Sequence, residues 1–167
     1  MTHGLPGLTI GIVSLAFGAT ASPSGGTTIH GATPQASQLA HMIVAAAYRK
    51  PARGSADRAA IMDAARGPIT AELDHTVIFV VSTLRTDGEW AYLDATPVNP
   101  DGSPLDWKAT PFAEAQAAGM MEDNVLVLLR KKGKDWKMVD YVIGPSDVYW
   151  LNWIDQYGLP KALFNDD

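Results

Sequence analysis

Cysteine is absent from the 167 residues of this chain. Its absence excludes disulfides, a thiol nucleophile, zinc–thiolate sites and a lipid anchor carried on cysteine. A chain of this length can bury a core of its own and does not depend on a disulfide. Histidine is nearly as scarce. His3, His30, His41 and His75 are the only four, and no two stand at the H-x₃-H spacing of a metal pair, so spacing gives a metal no support. The G-x-S-x-G, P-loop, G-x-G-x-x-G and H-E-x-x-H patterns are all missing, and no cofactor is expected. Positive charge is also short: 13 Lys and Arg stand against 18 Asp and Glu, a net charge of −5. A protein that neutralises phosphates needs a basic stripe, so nucleic acid is a poor partner. The one basic cluster, Arg130-Lys131-Lys132-Gly133-Lys134, reads as the solvated tip of a hairpin.

Long apolar runs are lacking too. Leu8 to Phe17 (LTIGIVSLAF) is compact and apolar, but a bilayer span needs about 20 such residues. Ala19-Thr20-Ala21 follows it and fits the A-x-A rule for cleavage before Ser22. The segment reads as an export signal, although its first residues offer His3 where Lys or Arg is usual. The expected organisation is a signal peptide over 1–21, a flexible Gly/Ser/Thr-rich linker over 22–33, and a single α+β domain over 34–167. The expected location is periplasmic or secreted, with no membrane span.

Within the domain, Gln35 to Arg49 carries apolar residues at helical spacing and ends before Pro51. Ser55 is a good N-cap for a second helix over Ala56 to Arg66, with Asp57 in its first turn. Gly67-Pro68 stops or kinks that helix, leaving one further turn over Ile69 to Leu73. The pattern then changes to strands. His75 to Leu84 and Trp90 to Thr96 flank an Asp87-Gly88 hairpin signal. Val125 to Leu129 and Trp136 to Ile143 flank a turn at Lys132-Gly133-Lys134. Between the hairpins, Val98 to Asp123 is an excursion with a short helix over Phe112 to Ala118. Ser146 is read as the N-cap of a last helix that ends at Gly158 before Pro160. The fold class is therefore α+β: an antiparallel sheet of about four strands, in two hairpins, packed against N-terminal helices and a C-terminal helix. Helices on one face are the economical arrangement, leaving the other face for solvent, a ligand or a partner.

If Asp87-Gly88 is a two-residue turn, Thr86 pairs with Glu89 and alternation sorts the faces. Ile78, Val80, Leu84, Ala91, Leu93 and Ala95 form a smooth apolar face. Val77, Phe79, Val81, Arg85, Trp90, Tyr92 and Asp94 form a mixed one. On the second hairpin Trp136, Met138 and Asp140 alternate against Val139, Tyr141 and Ile143. A carboxylate among aromatics can serve as a general base with a raised pKa, so Asp94 and Asp140 are the candidate catalytic acids. A structural pairing with Arg85, Arg130 or a backbone donor explains them with fewer assumptions. Trp150, Trp153, Trp90 and Tyr92 are the candidate ligand or partner residues, with core packing the competing explanation.

Several pieces between Ser55 and Phe164 carry a resemblance: Arg58-Ala-Ala-Ile-Met-Asp-Ala-Ala-Arg66, Phe79-Val-Val, Gly88-Glu-Trp-Ala91, Val127-Leu-Leu-Arg130, Ile143-Gly-Pro-Ser-Asp-Val-Tyr-Trp150 and Tyr157-Gly-Leu-Pro160. The stretch resembles small exported bacterial proteins of uncharacterised function. More loosely, a sheet wrapped on a helix is similar to the cystatin-like and nuclear-transport-factor-2-like folds. The resemblance implies a recurring domain type and no activity. Two functions are weighed. The first is a non-catalytic exported module that binds a protein or small-molecule ligand. The alternative is a small-molecule lyase, isomerase or hydrolase using Asp94 or Asp140 in an aromatic pocket. The export reading predicts that the N-terminal residue of the exported protein is Ser22; Edman sequencing that recovers Met1 would count against it.

Overall fold

A computed structural model describes residues 48–165. The helix expected over Gln35 to Arg49 lies outside the described residues up to position 47, as do the signal and linker. Its last residue, Arg49, is not helical: it exchanges backbone hydrogen bonds with Thr86 in an isolated antiparallel bridge.

The chain runs α1 (Ala56–Leu73), β1 (Ile78–Thr86), β2 (Trp90–Val98), a 3₁₀ turn (Trp107–Ala109), α2 (Ala113–Ala117), β3 (Val125–Lys132), β4 (Asp135–Ile143), α3 (Trp150–Tyr157) and a closing 3₁₀ turn (Lys161–Leu163). The strands form one antiparallel meander in the order β1-β2-β3-β4. Both hairpin turns therefore lie at one end of the sheet, and the excursion from β2 to β3 lies at the other.

Helix α1 starts where Ser55 Oγ accepts the Arg58 N–H at 3.2 Å. It does not stop at Gly67-Pro68 but runs 18 residues, with Pro68 inside. Proline costs a helix interior about 3 kcal/mol. Burying Ile69 and Leu73, at about 1.5–3 kcal/mol each, offsets that cost. These two continue a stripe with Ile61 and Ala65, all wholly buried, while Pro68 faces solvent.

That stripe packs on one face of the sheet, against Leu84, Ala91, Leu93, Ala95, Val125, Val127 and Leu129. The other face is covered as well. Tyr92, Leu126 and Leu128 point away from α1 and pack with Trp153, Leu159, Leu163 and Phe164. The arrangement is helix, sheet, helix, rather than helices on one face alone. The last helix begins at Trp150, later than an N-cap at Ser146 implies. Asp147 closes the preceding turn by accepting the Val148 N–H at 2.6 Å.

Two bulges change which residues share a face. The first hairpin closes with Asp87 opposite Trp90 and pairs Thr86 with Ala91, so its two loop residues are Gly88 and Glu89. Asp87 Oδ1 accepts the Glu89 and Trp90 N–H groups and Thr86 Oγ1 accepts that of Gly88, which moves the turn one residue along. Leu84, Ala91, Leu93 and Ala95 lie toward α1 as alternation predicts. A bulge between Val81 and Thr83 then inverts the start of β1. Phe79 and Val81 turn inward, and Ile78 and Val80 turn outward, 38% and 57% exposed. A second bulge between Leu128 and Leu129 loops out a residue of β4. Trp136 and Met138 face α1 together with Tyr141 and Ile143, whereas Asp140 is delivered to the opposite face. An extra residue in one strand reverses every later side chain, which is why unbroken alternation misplaces these positions.

Gly144 ends β4 with φ +65°, and a Cβ there would stand 2.6 Å from Met121 Cβ and 2.9 Å from the Glu122 carbonyl oxygen. Gly144→Ala meets both a left-handed backbone, about 1–2 kcal/mol, and overpacking, about 1–3 kcal/mol. Urea denaturation is expected to show a loss of about 2–4 kcal/mol; a loss below about 0.5 kcal/mol would mean the 120–124 segment moves aside freely.

Candidate functional site

The two candidate acids are both engaged by the protein's own donors. Asp140 Oδ2 accepts the Trp153 indole N–H at 3.0 Å and the Tyr157 hydroxyl at 3.1 Å. Its Oδ1 accepts the Tyr141 backbone N–H at 2.8 Å. Two of these donors belong to α3, so the carboxylate fastens that helix to β4. Burial, then the hydrogen bond to Asp140, pushes the Tyr157 hydroxyl above its ordinary pKa. Asp94 Oδ1 accepts the Asn124 side-chain N–H at 3.0 Å, which ties β2 to the entry of β3. Asp94 lies on β2 and Asp140 on β4, with β3 between them, so they do not converge on one point.

The aromatic candidates gather around the same face. Trp153 is wholly buried and Tyr92 nearly so. Tyr92 meets Phe164 edge-on at 5.1 Å and Trp153 at 6.4 Å. Trp150 is half-buried and stacks on Phe164 at 5.4 Å with the rings 10° apart. Trp90 is half-buried between the Tyr157 ring at 5.9 Å and the Arg130 guanidinium at 4.9 Å. These rings build the second core, and what Trp90 and Trp150 leave to solvent is part of each ring.

A different constellation fronts open space. At the hairpin end of the sheet, a cleft of about 460 Å³ is lined by Arg49, Ala56, Asp57, Ala60, Lys131, Lys134 and Trp136. Four segments meet there: the strand-like entry at Arg49, the first turn of α1, the end of β3 and the start of β4. The register places Lys131 opposite Trp136, and the ammonium lies 5.3 Å from the indole centroid. Asp57 organises the wall. Its Oδ1 accepts the Trp136 indole N–H at 3.0 Å and Lys131 Nζ at 3.5 Å, and its Oδ2 pairs with Arg49 at 3.0 Å. Partial burial pushes the Asp57 carboxyl up, but the Trp136 hydrogen bond and the charges of Arg49 and Lys131 outweigh it and hold the group below its ordinary value. Three cations against one carboxylate leave the cleft positive in a chain that is acidic overall.

This site is not among the residues that sequence reasoning marks as functional. Asp57 reads as a first-turn acid, Trp136 as a plug for the core and Lys131 with Lys134 as turn charges. The turn at Gly133-Lys134 does set Lys131 across from Trp136. What the sequence does not carry is the docking of α1, which brings Asp57 from far along the chain. Among the described residues, no three His, Cys, Asp or Glu stand where they could hold a metal ion, and no helix is long and apolar enough to cross a membrane. No protein family, curated protein or solved structure matches the chain.

The depressed Asp57 pKa fixes a sign for pH dependence. A carboxyl that binds its proton less readily when folded stabilises the fold above its unfolded value, near 3.8, and that contribution is lost as pH falls through the lower folded value. Asp57→Asn is expected to lower stability at pH 7 by on the order of 1 kcal/mol, since the group is partly solvated. Urea titrations at pH 7 and pH 2.5 check this: the gap between the two proteins should narrow at the lower pH.

Proposed function

We propose that the chain is an exported, non-catalytic binding module, and that its ligand site is the positive cleft at the hairpin end. The observation that carries this reading is the convergence of Arg49, Lys131 and Lys134 on one cavity beside the Trp136 ring. Arg49 and Lys131 are held in place by Asp57, so part of the entropy of fixing two long side chains is already spent before a ligand arrives. Guanidinium and ammonium groups at one concave surface suit carboxylate or phosphate oxygens, with the guanidinium able to bond two at once. The cavity volume suits a small polyanion. Export agrees with the apolar run and small-residue cleavage site in the first 21 residues. The lyase, isomerase or hydrolase reading placed Asp94 or Asp140 in an aromatic pocket, and neither of them lines the cleft. Asp140 instead spends both oxygens on donors from its own chain.

The test is a titration of the purified chain with citrate and with inorganic phosphate, followed by the NMR signal of the Trp136 indole N–H. Saturable shifts with a Kd of about 1 mM or tighter are expected for at least one anion, weakening as salt rises. Lys134→Ala, on an exposed turn, should weaken binding a few-fold without changing the fold. An indole signal that neither anion moves at about 10 mM would overturn the proposal.

A further inference from the structure

A carboxylate is an unusual member of a cleft that suits an anion. Arg49, Lys131 and Lys134 line the space, and Asp57 lines it with them. The Asp57 side chain is 22% exposed, so an anion that reaches the cations also meets an acid. A carboxylate offers about four acceptor positions. The Trp136 indole N–H and the Lys131 ammonium occupy Oδ1. Among the described residues, Oδ2 carries Arg49 alone, which leaves one acceptor position on that oxygen. Arg49 and Lys131 are likewise not exhausted by Asp57, because a guanidinium and an ammonium each hold further N–H groups.

The groups around Asp57 fix its charge state. Arg49 faces it from the entry segment, Lys131 from β3 and the Trp136 indole from β4, with Lys134 on the same cleft. Together they hold the carboxyl below its ordinary value, so around neutral pH it accepts hydrogen bonds and donates none. A bare ligand oxygen beside Oδ2 is repelled. A ligand O–H in the same place donates to it.

The geometry points to Asp57 as the residue that sets the specificity of the cleft, and to inorganic phosphate as the ligand. Phosphate brings oxygens for Arg49, Lys131 and Lys134, and a hydroxyl for Asp57. The inference rests on the proposed reading of the cleft as an anion site. Its force lies in protonation. At neutral pH inorganic phosphate always keeps at least one O–H. Sulfate has the same tetrahedral shape and keeps none. A phosphomonoester, whether a small metabolite or a lipid headgroup, loses its last proton near pH 6. Carboxylate ligands are also unprotonated at pH 7. A site that hydrogen-bonds a ligand hydroxyl rejects an analogue without one, because its own polar group then lacks a partner.

The experiment follows the Trp136 indole N–H by NMR while the full chain is titrated with inorganic phosphate, sulfate and methyl phosphate at pH 5.5, 7 and 8. At pH 7 phosphate is expected to bind at least about tenfold tighter than sulfate. Methyl phosphate should weaken several-fold from pH 5.5 to 8 as its proton is lost, although its negative charge grows; binding by charge alone would tighten it. Asp57→Asn removes the repulsion, so its sulfate and phosphate affinities should fall within about threefold of each other. Circular dichroism verifies that the variant folds, and the methyl phosphate series on the unaltered chain decides the matter if it does not. Sulfate binding as tightly as phosphate overturns this inference and leaves the anion site standing. So does methyl phosphate binding that tightens with pH, or a phosphate preference that survives Asp57→Asn. If no anion moves the indole signal, the anion site itself falls and this inference falls with it.

Discussion

Strand β3 is buried along Val125 to Leu129 on both faces. A half-buried strand needs one cover; this one needs two, and the rest of the molecule answers to that demand. Helix α1 supplies the first layer with a stripe of Ile61, Ala65, Ile69 and Leu73. That stripe runs a little over three turns, from Ile61 to Leu73, so the helix continues through Pro68 instead of stopping there. The second layer comes from α3 and the residues after it. Trp153, Leu163 and Phe164 fill the opposite face, and Asp140 fixes their position by accepting hydrogen bonds from Trp153 and Tyr157. Removing this partly buried carboxylate would take the acceptor from the Trp153 indole and the Tyr157 hydroxyl, which is the physical reason an acid belongs in this otherwise apolar layer.

The bulges follow from the same geometry. Central strands β2 and β3 pair without interruption, while each edge strand contains one extra residue. In β4 the extra residue lets Trp136 and Tyr141 face α1 while Asp140 faces α3. In β1 it lets Leu84 and Val81 both face α1, at the cost of exposing Ile78 and Val80. Bulges in edge strands add twist and redirect side chains without breaking a central ladder. Here one of them creates the fastening point of the second layer, and the other creates the exposed apolar edge.

Much of this was legible in the residues. The four strands, the hairpin connections, the Ser55 cap and the Gly158 helix end all rest on local chemistry, which operates over a few positions. The unbroken run VLVLL in β3, with no alternation, already carries the signature of a strand buried on both faces. The bulges left no such trace. Neither Ser82 nor the residues beside Asp140 depart from strand-like composition, and a bulge is settled by how both neighbours pack. The reach of α1 past Pro68 is likewise a tertiary outcome, because intrinsic propensity at Gly67-Pro68 argues for a stop and only burial of Ile69 and Leu73 reverses it.

The cleft was illegible for a related reason. Each of its members has a sufficient local explanation: a dipole-complementing acid, a core indole, solvated turn charges. Their shared position exists only when α1 lies along the sheet with its first turn at the hairpin end. The same alignment separates the charges of the chain. Because α1 and β4 run the same way, the bases before α1 and those at the β3–β4 turn fall at one end, and the acids that close α1 fall with those of the excursion at the other. A net charge of −5 therefore conceals a molecule with a positive end. Overall composition speaks against polyanion partners, but the local field at the hairpin end is what an approaching anion meets, since charges farther away than about 10 Å are screened at ordinary ionic strength. On the proposed reading, the charge that governs binding is the charge of one end of the sheet.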